Sequence, residues 1–193
     1  CFSEGEAKIT YGTGCFMLLN SGEKPILSEK GLLTTIGIST NNKINYALEG
    51  SVFAGGTVIK WLRDNMGVIK NAAESEYVAR SIPDNGGVYI VPAFVGLGTP
   101  HWDSDARGTI MGLTFGNDTR HIVRAGLEAI AYQCYDVISV MEKEMGKEVI
   151  ALKVDGGAAL NDFLMEFQSA ILNKKIYRPV VYEWTAYGVY ILS

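Results

Sequence analysis

Histidine is almost missing from this sequence: two residues, His101 and His121, among 193. A metal site built on imidazoles and a Ser-His-Asp triad both have little material. Cysteine is scarce and odd in number, and Cys1, Cys15 and Cys134 are too widely spaced for a disulfide framework or a zinc site. No apolar run approaches the ~20 residues a membrane span needs. No basic start leads into an apolar stretch, as a secretory leader would require. Positive charge is not in surplus either. Seventeen Lys and Arg stand against 21 Asp and Glu, a net charge of −4, with no basic cluster. A general nucleic-acid binder takes its affinity from neutralising phosphates, so that class is excluded. Neither a nucleic acid nor a membrane is expected as partner, and the expected setting is a reducing cytoplasm. A small anionic ligand stays possible, because backbone amides bind phosphate without a net positive charge.

What the sequence does have is glycine: 22 residues against 5 Pro, with 48% apolar and 20% charged residues. That is ordinary globular usage, with a loop-rich α/β bias. The chain opens on Cys1 and stops within an apolar, helix-like stretch, Glu183 to Ser193, that lacks a closing cap. It therefore reads as one domain, 1–193, cut from a longer protein and incomplete at both ends.

The first fifty residues read as antiparallel strands. Ala7 to Asn20 is β-rich and interrupted by Gly12-Thr13-Gly14, and Leu32 to Ile38 and Lys43 to Leu48 flank a turn at Asn41-Asn42. Gly55-Gly56-Thr57 leads into a helix with Val58, Ile59, Leu62 and Met66 on one face and Gly67 at its end. Glu74 to Ser81 is a second, short helix. Gly87 to Phe94 is a continuous apolar run, as in a strand buried on both faces, and Gly108 to Thr114 is a further strand. Asp118 or Thr119 caps a long helix whose stripe runs from Ile122 through Cys134 to Met145 and ends at Gly146. Val149 to Val154 is a strand, Asp155-Gly156-Gly157 a sharp turn, Asn161 to Leu172 an amphipathic helix, and Ile176 to Pro179 a last strand. Antiparallel strands followed by strand–helix–strand units predict an α/β fold. More narrowly, they predict an RNase H-like domain of the actin-like ATPase type, a mixed sheet flanked by helices.

Three glycine turns are the candidates for chemistry. Gly12-Thr13-Gly14 offers close backbone approach to an anion together with a hydroxyl; the alternative is a tight hairpin or bulge. Gly55-Gly56 opens a helix, where amides and the helix dipole favour phosphate; the alternative is close packing on the sheet. Asp155-Gly156-Gly157 repeats the arrangement, and Asn161 beyond it serves equally well as a helix cap. Neither a Walker A loop nor the dinucleotide fingerprint is present. The argument is convergence: all three turns would meet at one edge of the sheet. Asp103, Asp105 and Arg107 read as a salt-linked, turn-forming loop, with a catalytic role as the alternative, His121 as a surface or packing residue, and Cys15 and Cys134 as core.

The residues resemble one family, the C-terminal domain of the FGGY carbohydrate kinases, and within it the branch that phosphorylates glycerol. The resemblance is carried by Thr10-Tyr-Gly-Thr-Gly-Cys-Phe-Met-Leu18, Glu29-Lys-Gly-Leu-Leu-Thr-Thr35, Asn45-Tyr-Ala-Leu-Glu-Gly50, Trp61-Leu-Arg-Asp64 and Val154-Asp-Gly-Gly-Ala158, with Asn161 at the family's spacing. It covers about residues 7 to 179. It implies transfer of phosphate from ATP to glycerol with Mg2+, leaving ADP and sn-glycerol 3-phosphate, in a homodimer or homotetramer. By motif match, Thr13 meets the β/γ-phosphates, Gly12 is nucleotide-binding beside it, Gly56 and Gly157 approach the nucleotide phosphates and sugar through backbone, and Asn161 meets the adenosine. Phe16 faces the polyol. Lys60 stands where this branch usually has Gln, its charge within reach of a phosphate. The family's Asp base is expected upstream of Cys1, so no catalytic residue and no metal ligand is assigned within this chain. The alternatives are an FGGY kinase of a pentulose or another sugar, and a non-catalytic actin-like nucleotide-binding module.

Overall fold

Strict alternation places the central strand. In β1 (Glu6–Tyr11), Ala7, Ile9 and Tyr11 are fully buried while Glu6, Lys8 and Thr10 between them are partly exposed, so one face meets a core and the other does not. The computed structural model describes residues 1, 3–40 and 43–179. In it β1 pairs antiparallel with β2 (Cys15–Gly22), Ile9 opposite Met17, and parallel with β7 (Ala151–Asp155), Ile9 opposite Val154. Adding β3 (Leu33–Thr40), β4 (Lys43–Val52) and β8 (Ile176–Tyr177) gives a mixed six-stranded sheet in the order β3-β4-β2-β1-β7-β8. The antiparallel opening read from the sequence is therefore present. The Asn41-Asn42 turn and the stretch from Glu183 to Ser193 lie outside the described residues.

The helices cover the face made by Ile9, Tyr11, Met17, Leu19, Leu48, Leu152 and Val154. They are α1 (Gly56–Asp64), α2 (Glu74–Arg80), α3 (Thr119–Met145) and α4 (Asp162–Leu172). α3 supplies most of the cover, with Leu127, Ile130, Cys134, Val137, Ile138 and Met141 fully buried, each such aliphatic side chain worth roughly 1.5–3 kcal/mol of transfer free energy. Its start is fixed by a capping box. The Asp118 carboxylate accepts from the Arg120 amide at 2.9 Å, and His121 Nδ1 accepts from the Asp118 amide at 3.0 Å. His121, read as a surface or packing residue, thus has a local structural task. Gly146 ends the helix in the left-handed region at φ 68°. Buried Glu128 of α3 accepts from Arg124 Nε on the same helix and from Asn85 Nδ2 in the loop beyond α2, each at 2.8 Å. No helix of the described residues is long and apolar enough to cross a membrane.

Three expectations are corrected. The apolar run from Gly87 to Phe94 is not a sheet strand buried on both faces. Only Tyr89–Val91 is extended (β5), paired with Thr109–Met111 (β6) in a separate two-stranded sheet. Val88 and Ile90 pack on Ala125 and Ala129 of α3, while Tyr89 points outward. Helix α1 ends at Asp64, and Met66 is exposed, although Gly67 does turn the chain at φ 64°. The Asp155-Gly156-Gly157 turn does not run straight into a helix: a single 3-10 turn, Gly157–Leu160, comes first, and Asn161 follows as the cap of α4.

Candidate functional site

The ends of β1 and β7 stop side by side, because Thr10 is paired with Asp155. The chain leaves β1 into Gly12-Thr13-Gly14 and leaves β7 into Gly156-Gly157, so both turns rise from the same sheet edge. The start of α1 folds onto the first of them. The Gly55 and Thr57 amides donate to Thr13 O at 3.0 and 3.1 Å, the Gly56 amide donates to Gly12 O at 2.8 Å, and the Thr57 hydroxyl also donates to Thr13 O, at 3.0 Å. A cavity of about 550 Å3 opens where these segments meet, a volume suited to a nucleotide-sized ligand.

Gly12, Thr13, Gly56, Lys60, Gly157 and Asn161 all line this cavity. The convergence argued from three separate glycine turns is therefore present in space. Phe16 is not part of it. It lies on β2, half exposed, opposite Thr10 and Ser51, and those positions belong to the sheet face away from the helices.

The geometry also changes the chemistry expected at α1. An open helix N-terminus presents unpaired amides to an anion, but here Gly55, Gly56 and Thr57 are already hydrogen-bonded to the Gly12–Thr13 carbonyls. Gly56 serves close packing: a Cβ there would lie 2.7 Å from Gly12 O. The close-packing alternative describes this turn. Gly157 is the opposite case, since a Cβ there would meet nothing within 4 Å, so its Cα faces open space in the cavity wall.

Asn161 fits the capping alternative and lines the cavity at the same time. Its Oδ1 accepts from the Leu164 amide at 2.9 Å, and its Nδ2 donates to Ser75 Oγ at 3.1 Å, both buried. Charge in the wall comes from Lys60, Arg63 and Glu76. Arg63 is held by Asp64 at 2.5 and 2.9 Å. Glu76 accepts from Arg80 Nε at 3.1 Å and from the Asp162 amide at 2.9 Å. Lys60 makes no hydrogen bond or ion pair among the described residues and acts only through its field on Asp64. It is the cation in the wall left free to meet a ligand.

Sequence reasoning missed the apolar part of the wall: Ile59, Ala72, Ala73 and Leu160. Two of these four are alanines in an irregular segment between helices, and nothing local marks them. Asp155 was read only as part of its turn, yet its carboxylate is buried: one oxygen is paired with Lys8 Nζ at 2.7 Å, and the other has no partner among the described residues. No group of three or more His, Cys, Asp or Glu able to hold a metal occurs among the described residues. The cavity thus offers no protein cage for Mg2+, an ion that usually keeps several waters and is carried on substrate phosphates. In the loop after β5, Asp103 Oδ1 accepts from the Asp105 and Ala106 amides at 2.8 and 3.0 Å, and Arg107 donates to the Ser104 and Ala106 carbonyls. That loop is turn-forming, as read, but it is not salt-linked: Arg107 makes no ion pair with Asp103 or Asp105 among the described residues.

Comparison with known proteins agrees with this geometry. The family model described as "FGGY family of carbohydrate kinases, C-terminal domain" matches residues 7–193. Over all 193 residues the chain is 58% identical to a glycerol kinase of Petrotoga mobilis, of which it covers 39%. It is 56% identical over its full length to a glycerol kinase of Fusobacterium nucleatum, again covering 39%. Among solved structures, the glycerol kinase of Plasmodium falciparum with ADP matches with a TM-score of 0.94 at 42% identity, over 100% of this chain and 38% of that one. The chain spans 39% of the length of these curated relatives.

Proposed function

This chain belongs to the FGGY family of carbohydrate kinases, as a C-terminal domain of that family, and on that premise we propose that it supplies the nucleotide side of a glycerol kinase. The reaction is transfer of the γ-phosphoryl group of ATP to a glycerol hydroxyl, giving ADP and sn-glycerol 3-phosphate. The observation that carries the reading is the cavity in which Gly12-Thr13, Gly56, Lys60, Gly157 and Asn161 meet, in a chain 58% identical throughout to a glycerol kinase. Phosphoryl transfer asks the protein for positioning and charge stabilisation rather than covalent chemistry. Fixed turns and one free cation are suited to that task.

In this reading the Thr13 hydroxyl and the Lys60 ammonium meet the phosphates, and the Gly157 backbone lies against the nucleotide. Ile59, Ala72, Ala73 and Leu160 form the apolar bed for the base. Asn161 shapes the nucleoside side while capping α4. Phe16, on the other sheet face, belongs to the glycerol side. The base that takes the hydroxyl proton and most of the glycerol pocket lie on the remaining length that the relatives carry beyond this chain. Mg2+ arrives with the nucleotide, and the setting is the ATP-rich cytoplasm, with the enzyme a homodimer or homotetramer. The test is glycerol-dependent ADP release by the polypeptide that carries this chain at full family length. Release with glycerol supports the reading. Release only with a pentulose or another sugar overturns the glycerol assignment, and no release with any polyol or sugar overturns the kinase.

Lys60 offers a sharper check on the nucleotide side. Because α1 lends no free amides at Gly55–Thr57, phosphate charge must be met elsewhere, and Lys60 is unpaired. Lys60→Met is expected to weaken magnesium-ADP binding about two- to fivefold at low salt, the scale of an exposed ion pair. The gap should close as salt rises, and the thermal midpoint should not move. Titration calorimetry at two ionic strengths measures it; an affinity gap independent of salt would remove the charge role.

A further inference from the structure

Behind the cavity, one buried polar contact joins two of its walls. Tyr11 is the last residue of β1 and lines the cavity, yet its side chain is fully buried. Its hydroxyl donates to Gln168 Oε1 on α4 at 3.0 Å, linking residues 157 apart in sequence. Gln168 is fully buried as well, and its Nε2 has no partner among the described residues. Burial, with the Cys134 and Cys15 thiols adding to it, pushes the Tyr11 phenol well above its usual range, so the hydroxyl keeps the proton it donates. A half-satisfied amide deep in a core is unfavourable, and Leu or Met would pack there without that penalty. The glutamine therefore calls for a reason beyond packing.

The two ends of the bond supply it. Tyr11 is covalently next to Gly12-Thr13, and Gln168 stands two helical turns beyond Asn161, the residue that caps α4 and closes the Gly157–Leu160 turn. The turn between β7 and α4 presses on Tyr11 itself: a Cβ on Gly156 would lie 2.5 Å from Tyr11 O. Tyr11 is thus in contact with one wall through its backbone and bonded to the element behind that wall through its side chain.

We infer that the Tyr11–Gln168 hydrogen bond sets the spacing between the Thr13 wall and the Gly157–Asn161 wall, making Tyr11 and Gln168 positioning residues for the bound nucleotide. The inference rests on the nucleotide reading above. It separates from a plain core contact through a double-variant experiment on the 193-residue chain. Tyr11→Phe and Gln168→Leu each leave a buried polar group unpaired, so each lowers the thermal midpoint. The combined Y11F/Q168L variant replaces both partners with apolar groups, a change that is nearly neutral for stability, and it keeps the test open even where a single variant fails to fold. Thermal melting and titration calorimetry with magnesium-ADP are the two readouts. The midpoint is expected to recover in the double variant while affinity stays about three- to tenfold below wild type, the scale of one lost neutral hydrogen bond. Recovery of affinity together with the midpoint makes the pair a core contact and overturns the inference. Wild type that does not bind magnesium-ADP overturns the nucleotide reading and the inference with it; binding by wild type with unchanged affinity in the double variant overturns the inference alone.

Discussion

Gly157→Val is expected to weaken magnesium-ADP binding by about 5- to 150-fold while leaving the thermal midpoint close to wild type. A Cβ at Gly157 meets no protein atom within 4 Å, and Gly157 is not among the glycines with positive φ. The backbone therefore accepts a side chain, and the space it enters is the cavity. Forcing extra methyl groups into a filled site costs typically about 1–3 kcal/mol, which converts to the stated range. Calorimetry and a thermal melt on the same sample measure both quantities. Unchanged affinity would place the nucleotide elsewhere. A collapsed midpoint would mean that Gly157 is a glycine for the sake of the fold.

Gly14→Ala is expected to do the reverse, lowering the midpoint first. A Cβ there would lie 2.3 Å from Val52 O and 3.2 Å from Phe53 O. Both are backbone atoms of the strand end next to β2, so no side chain can swing aside. Overpacking of about 1–3 kcal/mol corresponds to a fall of about 2 to 12 °C in a domain of this size. Because Gly14 closes the turn by accepting from the Gly12 amide at 2.9 Å, the displaced hairpin also carries Thr13 out of place, and affinity falls with stability. Thermal melting of G14A checks it; a wild-type midpoint would show that β2 and β4 can part at this point without cost.

These two glycines mark the limit of what the sequence discloses about the site. Three glycine turns at strand ends and a helix start were enough to bring Gly12, Thr13, Gly56, Gly157 and Asn161 together, while Lys60 in the same cavity was named only through the family resemblance. Periodicity does not say which glycine faces ligand and which faces backbone. Gly56 and Gly157 carry the same local signal, a strand or loop entering a helical turn, yet one packs on Gly12 and the other on nothing. That difference is set by β1–β7 pairing and by how α1 settles on the hairpin, both long-range. The occupied amides of Gly55–Thr57 are hidden for the same reason, because their acceptors lie more than forty residues earlier.

The fold was legible where one physical signal dominated. α3 has a capping Asp118, an unbroken apolar stripe and a terminal Gly146, and its bounds follow from them. The β3–β4 and β1–β2 hairpins follow from alternation and turns. The Gly87–Phe94 run misled because hydrophobicity without alternation does not say which sheet a strand joins. Its inward residues, Val88 and Ile90, are satisfied by small Ala125 and Ala129 on α3, so a two-stranded ribbon suffices and Tyr89 faces out. The hydrogen bond of Tyr11 to Gln168 spans 157 residues and leaves no local trace in the sequence.

The central claim is that this chain holds a nucleotide in the cavity between the two glycine turns. An amide NMR titration of the chain with magnesium-ADP tests it most directly. The account predicts a dispersed spectrum with saturable shifts at Gly12 to Gly14, Gly56, Lys60, Gly157 and Asn161, and none at the β5–β6 ribbon. A dispersed spectrum in which those amides stay still while the nucleotide is in excess would contradict it.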